Sequence, residues 1–96
     1  MKYTLKEAMA YLNTNLYASM DQMNDREFRA DVSPTRDISV FCISPYSDSD
    51  DNTTWRYVVQ ILSKNNTIVL QQQFDKVTEA VSFANKEYEK EVARLG

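Results

Sequence analysis

The sequence predicts a two-layer α+β protein in which an antiparallel sheet of three to four strands carries an N-terminal and a C-terminal helix on one face. Apolar residues recur at three- and four-residue steps near both ends of the chain, which is the spacing of amphipathic helices. Between the ends they alternate or form short β-branched runs, as strands do. Because 96 residues suffice for one hydrophobic core, we expect a single domain spanning residues 1–96.

The first helix is predicted to begin after Thr4 and to continue to about residue 24. Thr4 followed by Glu7 matches a capping box, in which each residue satisfies a backbone N–H of the other. The apolar stripe that follows consists of Leu5, Ala8, Met9, Leu12, Leu16, Met20 and Met23. We expect this stripe to pack on the sheet.

Strands are predicted in the middle of the chain. The alternation over residues 28–33 is compatible with a short edge strand, which is why the expected count is three to four. Residues 37–44 follow Pro34 and have the composition of a buried strand, and residues 55–62 form the next one. The polar segment 45–53 between them is predicted to be a loop.

The last two strands are predicted to form a hairpin around Asn65 and Asn66. Asparagine tolerates the positive φ that a two-residue hairpin turn requires. With this turn, the strand at residues 68–74 takes a defined register against its neighbour. The predicted opposite pairs are Leu62 with Val69, Ile61 with Leu70, and Tyr57 with Phe74.

The second helix is predicted to begin after Asp75 and to reach the C-terminus. Aspartate is a favoured N-cap residue because its carboxylate accepts hydrogen bonds from free backbone N–H groups. The buried stripe of this helix is predicted to be Val77, Ala80, Val81, Ala84, Tyr88, Val92 and Leu95. The predicted element order is therefore helix, strands, helix.

The composition disfavours most catalytic and metal-dependent functions. The chain has no histidine, one glycine and one cysteine, so it offers no imidazole base, no glycine-rich phosphate loop, no Cys/His metal cluster and no disulfide framework. Serine and threonine nucleophiles would need an activating base, and no motif places one. We therefore expect a protein that is not an enzyme and that carries no cofactor.

Charge and patterning also bear on partners and compartment. The formal net charge of −3 disfavours nucleic acid and anionic membranes as partners. The N-terminal residues carry a charge every few positions, unlike an export signal, and no apolar run is long enough to span a membrane. Cys42, alone in an apolar run, is expected to be a buried thiol. These observations favour a cytoplasmic protein.

The loop between the predicted strands is one candidate binding surface. We call Tyr46, Asp48, Asp50 and Asp51 the acidic tip, which could pair with a basic groove on a partner protein. A merely solvated loop is the alternative. The aspartates have the spacing that opens a calcium loop, but Thr53 stands where that motif requires glycine, so we expect no metal site.

The face of the sheet turned away from the helices, which we call the open face, is the second candidate. The hairpin register places seven residues on it: Arg56, Val58, Gln60, Leu62, Val69, Gln71 and Gln73. If no helix covers this face, Val58, Leu62 and Val69 would form an apolar patch suited to a protein partner or a homodimer. The alternative is that a helix or the side chains of the preceding strand cover the patch.

The order helix, three strands, helix, with residues 55–63 and 68–74 as the central hairpin, resembles the double-stranded-RNA-binding domain over most of the chain. That family grips RNA with a Gly-Pro-x-His loop and a Lys-Lys-x-Ala-Lys cluster. Here the corresponding places hold the acidic segment 48–54 and the sequence Asp75-Lys76-Val77-Thr78-Glu79. The resemblance therefore implies the topology and not the RNA-binding function.

The chain also looks like the small acidic proteins with which phages and mobile elements block host defence enzymes, the anti-CRISPR proteins among them. This likeness implies an inhibitor that occludes a surface of a larger host protein or complex. Two alternatives remain open, a homodimeric structural subunit and a nucleic-acid binder. The basic residues available to the latter are Arg26, Arg29, Arg36, Lys86, Lys90 and Arg94.

Overall fold

A computed structural model describes residues 4–17, 20–43 and 55–95 of the chain. It has an α+β fold with one antiparallel sheet and a helix at each end, as the sequence predicts. The sheet has five strands, one more than the upper end of the expected range. In chain order the elements are α1 (Leu5–Asn15), β1 (Asp21–Asn24), β2 (Glu27–Ser33), β3 (Arg36–Ile43), β4 (Arg56–Ser63), β5 (Ile68–Phe74) and α2 (Val77–Leu95).

Helix α1 begins at the predicted capping box and ends well before residue 24. The Thr4 hydroxyl accepts a hydrogen bond from the Glu7 N–H at 3.2 Å, and the Glu7 carboxylate accepts one from the Thr4 N–H at 3.0 Å. In the last turn, the side chains of Thr14 and Asn15 donate to the carbonyls four residues earlier. Such residues are poor helix formers, and α1 ends at Asn15.

The additional strand, β1, lies where the first helix was predicted to continue. Met23 lies in β1 and is 56% exposed, so it belongs to a strand at the sheet edge and not to a helix. A tight turn joins β1 to β2, and the Asn24 side-chain oxygen accepts from the Arg26 N–H at 2.8 Å. The proposed strand at residues 28–33 is therefore confirmed as β2, but it is an inner strand because β1 covers its edge.

The five strands form a simple meander in the order β1-β2-β3-β4-β5, with every neighbouring pair antiparallel. Phe28, Val40 and Val59 lie opposite one another on three successive strands, and all three are fully buried. The helices cover this face, where Leu12 of α1 and Val77 of α2 join the same hydrophobic cluster. The core therefore lies between one sheet face and both helices.

The hairpin between β4 and β5 has the predicted register at two of three pairs. Tyr57 lies opposite Phe74 and Ile61 opposite Leu70, but Leu62 lies opposite Ile68, since Val69 forms a bulge. The loop is longer than the predicted two residues, because the Ser63 N–H donates to the Thr67 carbonyl at 2.9 Å. Asn66 has the expected positive φ of 67°.

Helix α2 follows its predicted stripe through its first turns. Val77, Ala80, Val81 and Ala84 are buried in the core. Near the other end, Val92 is 45% exposed, while Glu91 is buried on the row that continues from Ala84 and Tyr88. The stripe expected at the end of the chain is therefore wrong at Val92. Asp75, the predicted cap, forms an ion pair with Arg56 at 2.9 Å.

The core position of Leu12 gives a stability prediction. We expect Leu12→Ala to lower the free energy of unfolding by about 2–5 kcal/mol, because it removes apolar contacts and leaves a cavity between α1 and the sheet. Urea denaturation followed by circular dichroism measures the change. The half-exposed Val92→Ala is the control and should change stability by about 0.5 kcal/mol or less. Equal effects of the two substitutions would contradict the packing of α1.

Candidate functional site

The open face of the sheet is not covered by a helix in the part of the chain that the structure describes. All seven residues that the sequence assigned to this face lie on its β4 and β5 strands, with Val58 opposite Gln73 and Gln60 opposite Gln71. Strands β1, β2 and β3 continue it. The open face includes Asp21, Glu27, Arg29, Asp31, Asp37, Ser39, Phe41, Ile43, Arg56, Val58, Gln60, Leu62, Ile68, Val69, Gln71 and Gln73.

A group of charged side chains, which we call the Asp37 cluster, lies at one end of the open face. Arg29 donates to one Asp37 carboxylate oxygen from Nη2 at 2.9 Å and from Nε at 3.3 Å. Lys64 donates to the other oxygen and also to Asp31 at 2.8 Å. Arg29 further donates to the Asn66 side-chain oxygen at 2.7 Å. The cluster therefore connects β2 and β3 to the β4–β5 loop.

The environment of Asp37 favours its charged form. Burial is the largest single influence and raises the pKa of Asp37, but the hydrogen bonds with Lys64, Arg29 and Asp31 and the positive charge of Lys64 together outweigh it. The pKa of Asp37 therefore lies below its ordinary value. The pKa of Lys64 is raised, first by its hydrogen bond to Asp31 and then by the one to Asp37. Asp37 and Lys64 therefore stabilise each other's charged form near neutral pH.

Polar pairs continue from the Asp37 cluster across the middle of the open face. The Ser39 hydroxyl is buried and donates to the Glu27 carboxylate at 2.8 Å. The Gln60 amide donates to the Gln71 amide oxygen at 2.6 Å, joining β4 to β5. These contacts fix the side chains in single orientations. The centre of the open face is therefore polar and held in place.

The apolar part of the open face differs from the predicted patch. Val58 is 1% exposed and Leu62 is 6% exposed, so neither offers an apolar surface. Val58 is a short side chain between the longer Phe41 and Gln73 that lie opposite it. The exposed apolar residues are instead Val69 and its neighbour Ile68, each 51% exposed, next to the β4–β5 loop.

The basic residues whose side chains the structure describes do not gather into one surface. Arg29 and Arg56 lie on the open face, where each is paired with an aspartate. Arg26 lies on the helix side, with its guanidinium 5.2 Å from the centre of the Trp55 ring. On α2, Lys90 pairs with Glu87 at 3.1 Å. Of the basic residues considered for nucleic-acid binding, Arg29 therefore lies on one side of the sheet and Arg26 and Lys90 on the other.

The acidic tip, Tyr46 with Asp48, Asp50 and Asp51, lies outside the described residues. Its role in partner binding stays a prediction.

The Asp37 cluster is the part of the site that the sequence analysis did not predict. One signal was present, because Asp37 directly precedes the apolar residues of β3, and a carboxylate that is buried beside them requires partners. The cationic side chains that pair with Asp37 depend on the register between neighbouring strands, which the sequence does not specify.

The single cysteine lies on the helix side of the sheet. Cys42 is buried, and its thiol lies 3.9 Å from the sulfur of Met9 in α1. Burial raises the pKa of the Cys42 thiol to about 12, and the positive charge of Arg26 offsets only part of this effect. The thiol is therefore protonated at neutral pH, where a thiolate would be needed for reaction.

Residues 4–17, 20–43 and 55–95 contain neither a metal-binding cluster nor a membrane-spanning helix. No group of three or more acidic or cysteine side chains in these ranges is placed to hold a metal ion. Neither α1 nor α2 is long and apolar enough to cross a membrane.

Comparison with known proteins found no match among protein-family models, curated proteins or solved structures. The fold and the open face define the class of molecule at hand, a two-layer α+β protein with one side of its sheet uncovered by either helix. The functional interpretation therefore depends on the residues of that face.

The Asp37 cluster gives a prediction with a defined pH dependence. We expect Asp37→Asn to lower the free energy of unfolding at pH 7 by about 1–2 kcal/mol, because Arg29 and Lys64 lose a charged acceptor. Asp31→Asn is the matched control. It removes the charge of an exposed acceptor of the same Lys64 and should cost about 0.5 kcal/mol or less.

The sign of the pH effect follows from the lowered pKa of Asp37. The stabilisation is complete above the ordinary carboxyl pKa of about 3.9 and is lost as the pH falls through the lower pKa of the folded state. The difference between wild type and Asp37→Asn should therefore shrink in strongly acidic solution. A difference that stays constant in acid would contradict the cluster.

The buried thiol gives a reactivity prediction. At neutral pH, Cys42 in the folded protein should resist alkylation by iodoacetamide, and it should react once the chain is unfolded in denaturant. Mass spectrometry over time measures the modification. The exposed Ser82→Cys variant is the control and should take up one label quickly in the folded state. Rapid labelling of Cys42 in the native wild type would contradict its burial.

Proposed function

We propose that this protein is a non-enzymatic binding module that acts by occupying a surface of a larger protein, with the open face as its contact surface. The observation that carries the proposal is a sheet face that neither helix covers and whose central side chains are fixed by hydrogen bonds. A surface that is already ordered loses little conformational entropy when a partner binds.

The composition of the open face suits a protein partner. Protein interfaces combine apolar contacts with polar groups whose hydrogen bonds are satisfied. Here Gln60, Gln71 and Gln73 supply amides for hydrogen bonding, while Ile68 and Val69 supply half-exposed apolar area beside them. The Asp37 cluster holds the β2, β3 and loop parts of this surface in one arrangement.

The charges of the open face favour protein over nucleic acid. Binding to a phosphate backbone requires cations that can release their counterions on contact. Arg29, Lys64 and Arg56 are each paired with an aspartate, so their charge is already offset. An acidic protein with such a face is better suited to a partner with its own polar and basic surface.

We further propose that the partner is a host protein or complex whose working surface this module occludes, as in the phage inhibitors that the chain looks like. Small size, an excess of acidic residues and the acidic tip support this reading. Aspartates at the tip would compete with nucleic acid for a basic groove through charge and size alone. Occlusion of this kind requires no catalytic step.

Capture of the tagged protein from a lysate of its native host, followed by mass spectrometry and sizing, identifies the partner. We expect one stoichiometric protein that survives nuclease treatment. With that purified partner, Gln60→Lys should weaken binding at least about tenfold, because it places an unpaired charge at the centre of the open face. Reversal of Asp48, Asp50 and Asp51 to lysine tests the acidic tip in the same assay.

The matched control is Ser82→Lys, which makes the same change of charge on the exposed side of α2. It should leave affinity within about twofold of wild type. Both variants should keep nearly the thermal midpoint of wild type, since Gln60 loses only a hydrogen bond worth about 1 kcal/mol. Equal affinity of Gln60→Lys and wild type, or recovery of nucleic acid alone, would overturn the proposal.

A further inference from the structure

Strand β5 is an unprotected sheet edge. It is last in the strand order, and no strand among the described residues lies on its outer side. Its first six residues are exposed and the seventh is partly exposed. Its sequence, Ile68 to Phe74, contains no charge, proline or glycine. A row of backbone N–H and C=O groups on such an edge is a template for another strand.

The opposite edge of the sheet shows the contrast. Strand β1 has only four residues, begins with Asp21 and has an irregular register against β2 between Gln22 and Asn24. Short length, charge and bulges are the devices with which proteins prevent pairing at an edge. The chain has these devices at β1 and lacks them along most of β5, whose one bulge lies at its start, at Val69.

We propose that β5 pairs with β5 of a second copy of this chain, antiparallel about a twofold axis at Gln72, to form a continuous ten-stranded sheet. The outer edge of each sheet would then be a β1 strand. This association differs from a dimer built on the open face, because each copy keeps that face free for the partner under Proposed function.

The order of side chains along β5 argues for a second copy as the occupant. Residues 70–74 read Leu-Gln-Gln-Gln-Phe, which has the same apolar and amide pattern in both directions. A twofold axis at Gln72 places Leu70 opposite Phe74 of the other copy and Gln71 opposite Gln73. A twofold interface between identical strands requires this kind of self-complementarity. Pairing with a strand of a different protein does not require it.

The contacts in this register are favourable on both faces. Directly opposite side chains in an antiparallel pair interact at about 4.5–5.5 Å, so apolar residues meet apolar residues and amides meet amides. Phe74 is already held by Phe83 of α2, with ring centres 5.3 Å apart. Leu70 of the second copy would cover this pair and lose its own exposure of 38%. Because β5 is uncharged, the net charge of −3 creates no repulsion at the contact itself.

Sedimentation velocity over a range of protein concentrations tests the association. Wild type should form a dimer whose fraction rises with concentration. Gln72→Lys should raise the dimer dissociation constant at least about tenfold, because it places two like charges opposite each other at the axis. Gln22→Lys makes the same substitution on the exposed β1 edge and should dimerise as wild type does.

Oxidative crosslinking tests the register. Gln72→Cys should form an intermolecular disulfide, since residues directly opposite on antiparallel strands have Cα atoms about 4.5–5.5 Å apart. Gln71→Cys is the matched control and should crosslink far less, because its two copies lie two residues apart along the strands and on the other face. The native Cys42 is buried and gives no background.

Three outcomes would overturn the proposal. They are a monomer at every concentration, a dimer that Gln72→Lys leaves intact, and open-ended assembly in place of a closed dimer. Preferential crosslinking through Gln71→Cys would overturn the register. Gln72 lies on the helix side of the sheet and Gln60 on the open face, so a failure here and a failure of the partner-binding proposal are distinguishable.

Discussion

The packing of α1 and α2 on the same face of β2, β3 and β4 is the constraint on which the other features of this protein depend. Phe28, Val40 and Val59 form a buried row across these strands, and Leu12 and Val77 cover it from the helices. Burial of one face fixes the register of every inner strand, because a shift by one residue would turn the apolar side chains outward. Both helices lie on this one face, so the second face of the sheet is left to other interactions.

The open face has no covering helix among the described residues, and side-chain hydrogen bonds satisfy its buried polar groups. Its buried polar groups cannot rely on water, so Asp37 and Ser39 are satisfied by side chains from neighbouring strands and from the β4–β5 loop. The hydrogen bonds that satisfy them also make the surface stiff. A face that is already ordered loses little conformational entropy on binding, which is the physical basis for proposing it as a contact surface.

The candidate site could be predicted only in part from sequence. Alternation along β4 and β5 correctly placed Gln60, Gln71 and Gln73 on one face, because side-chain direction in a strand has a fixed period of two. Alternation did not reveal that Val58 and Leu62 are buried there, since exposure depends on the neighbouring strands as well as on direction. The bulge at Val69 also escaped prediction, because a turn residue such as Asn66 indicates where a hairpin reverses but not how many residues the loop uses.

Local chemistry by itself determined the start of α1 at Thr4 and Glu7, the strands β3, β4 and β5, the first turns of α2 and the order of these elements. Each depends on residues close in sequence, whose hydrogen bonds and periodicity act over one or two turns or a single strand. The tertiary structure decided the rest. Met23 matches the period of a helix but lies in β1, because pairing with β2 takes precedence over a weak helical stripe. The partners of Asp37 come from residues 8 and 27 positions away along the chain, and only the folded sheet brings them together.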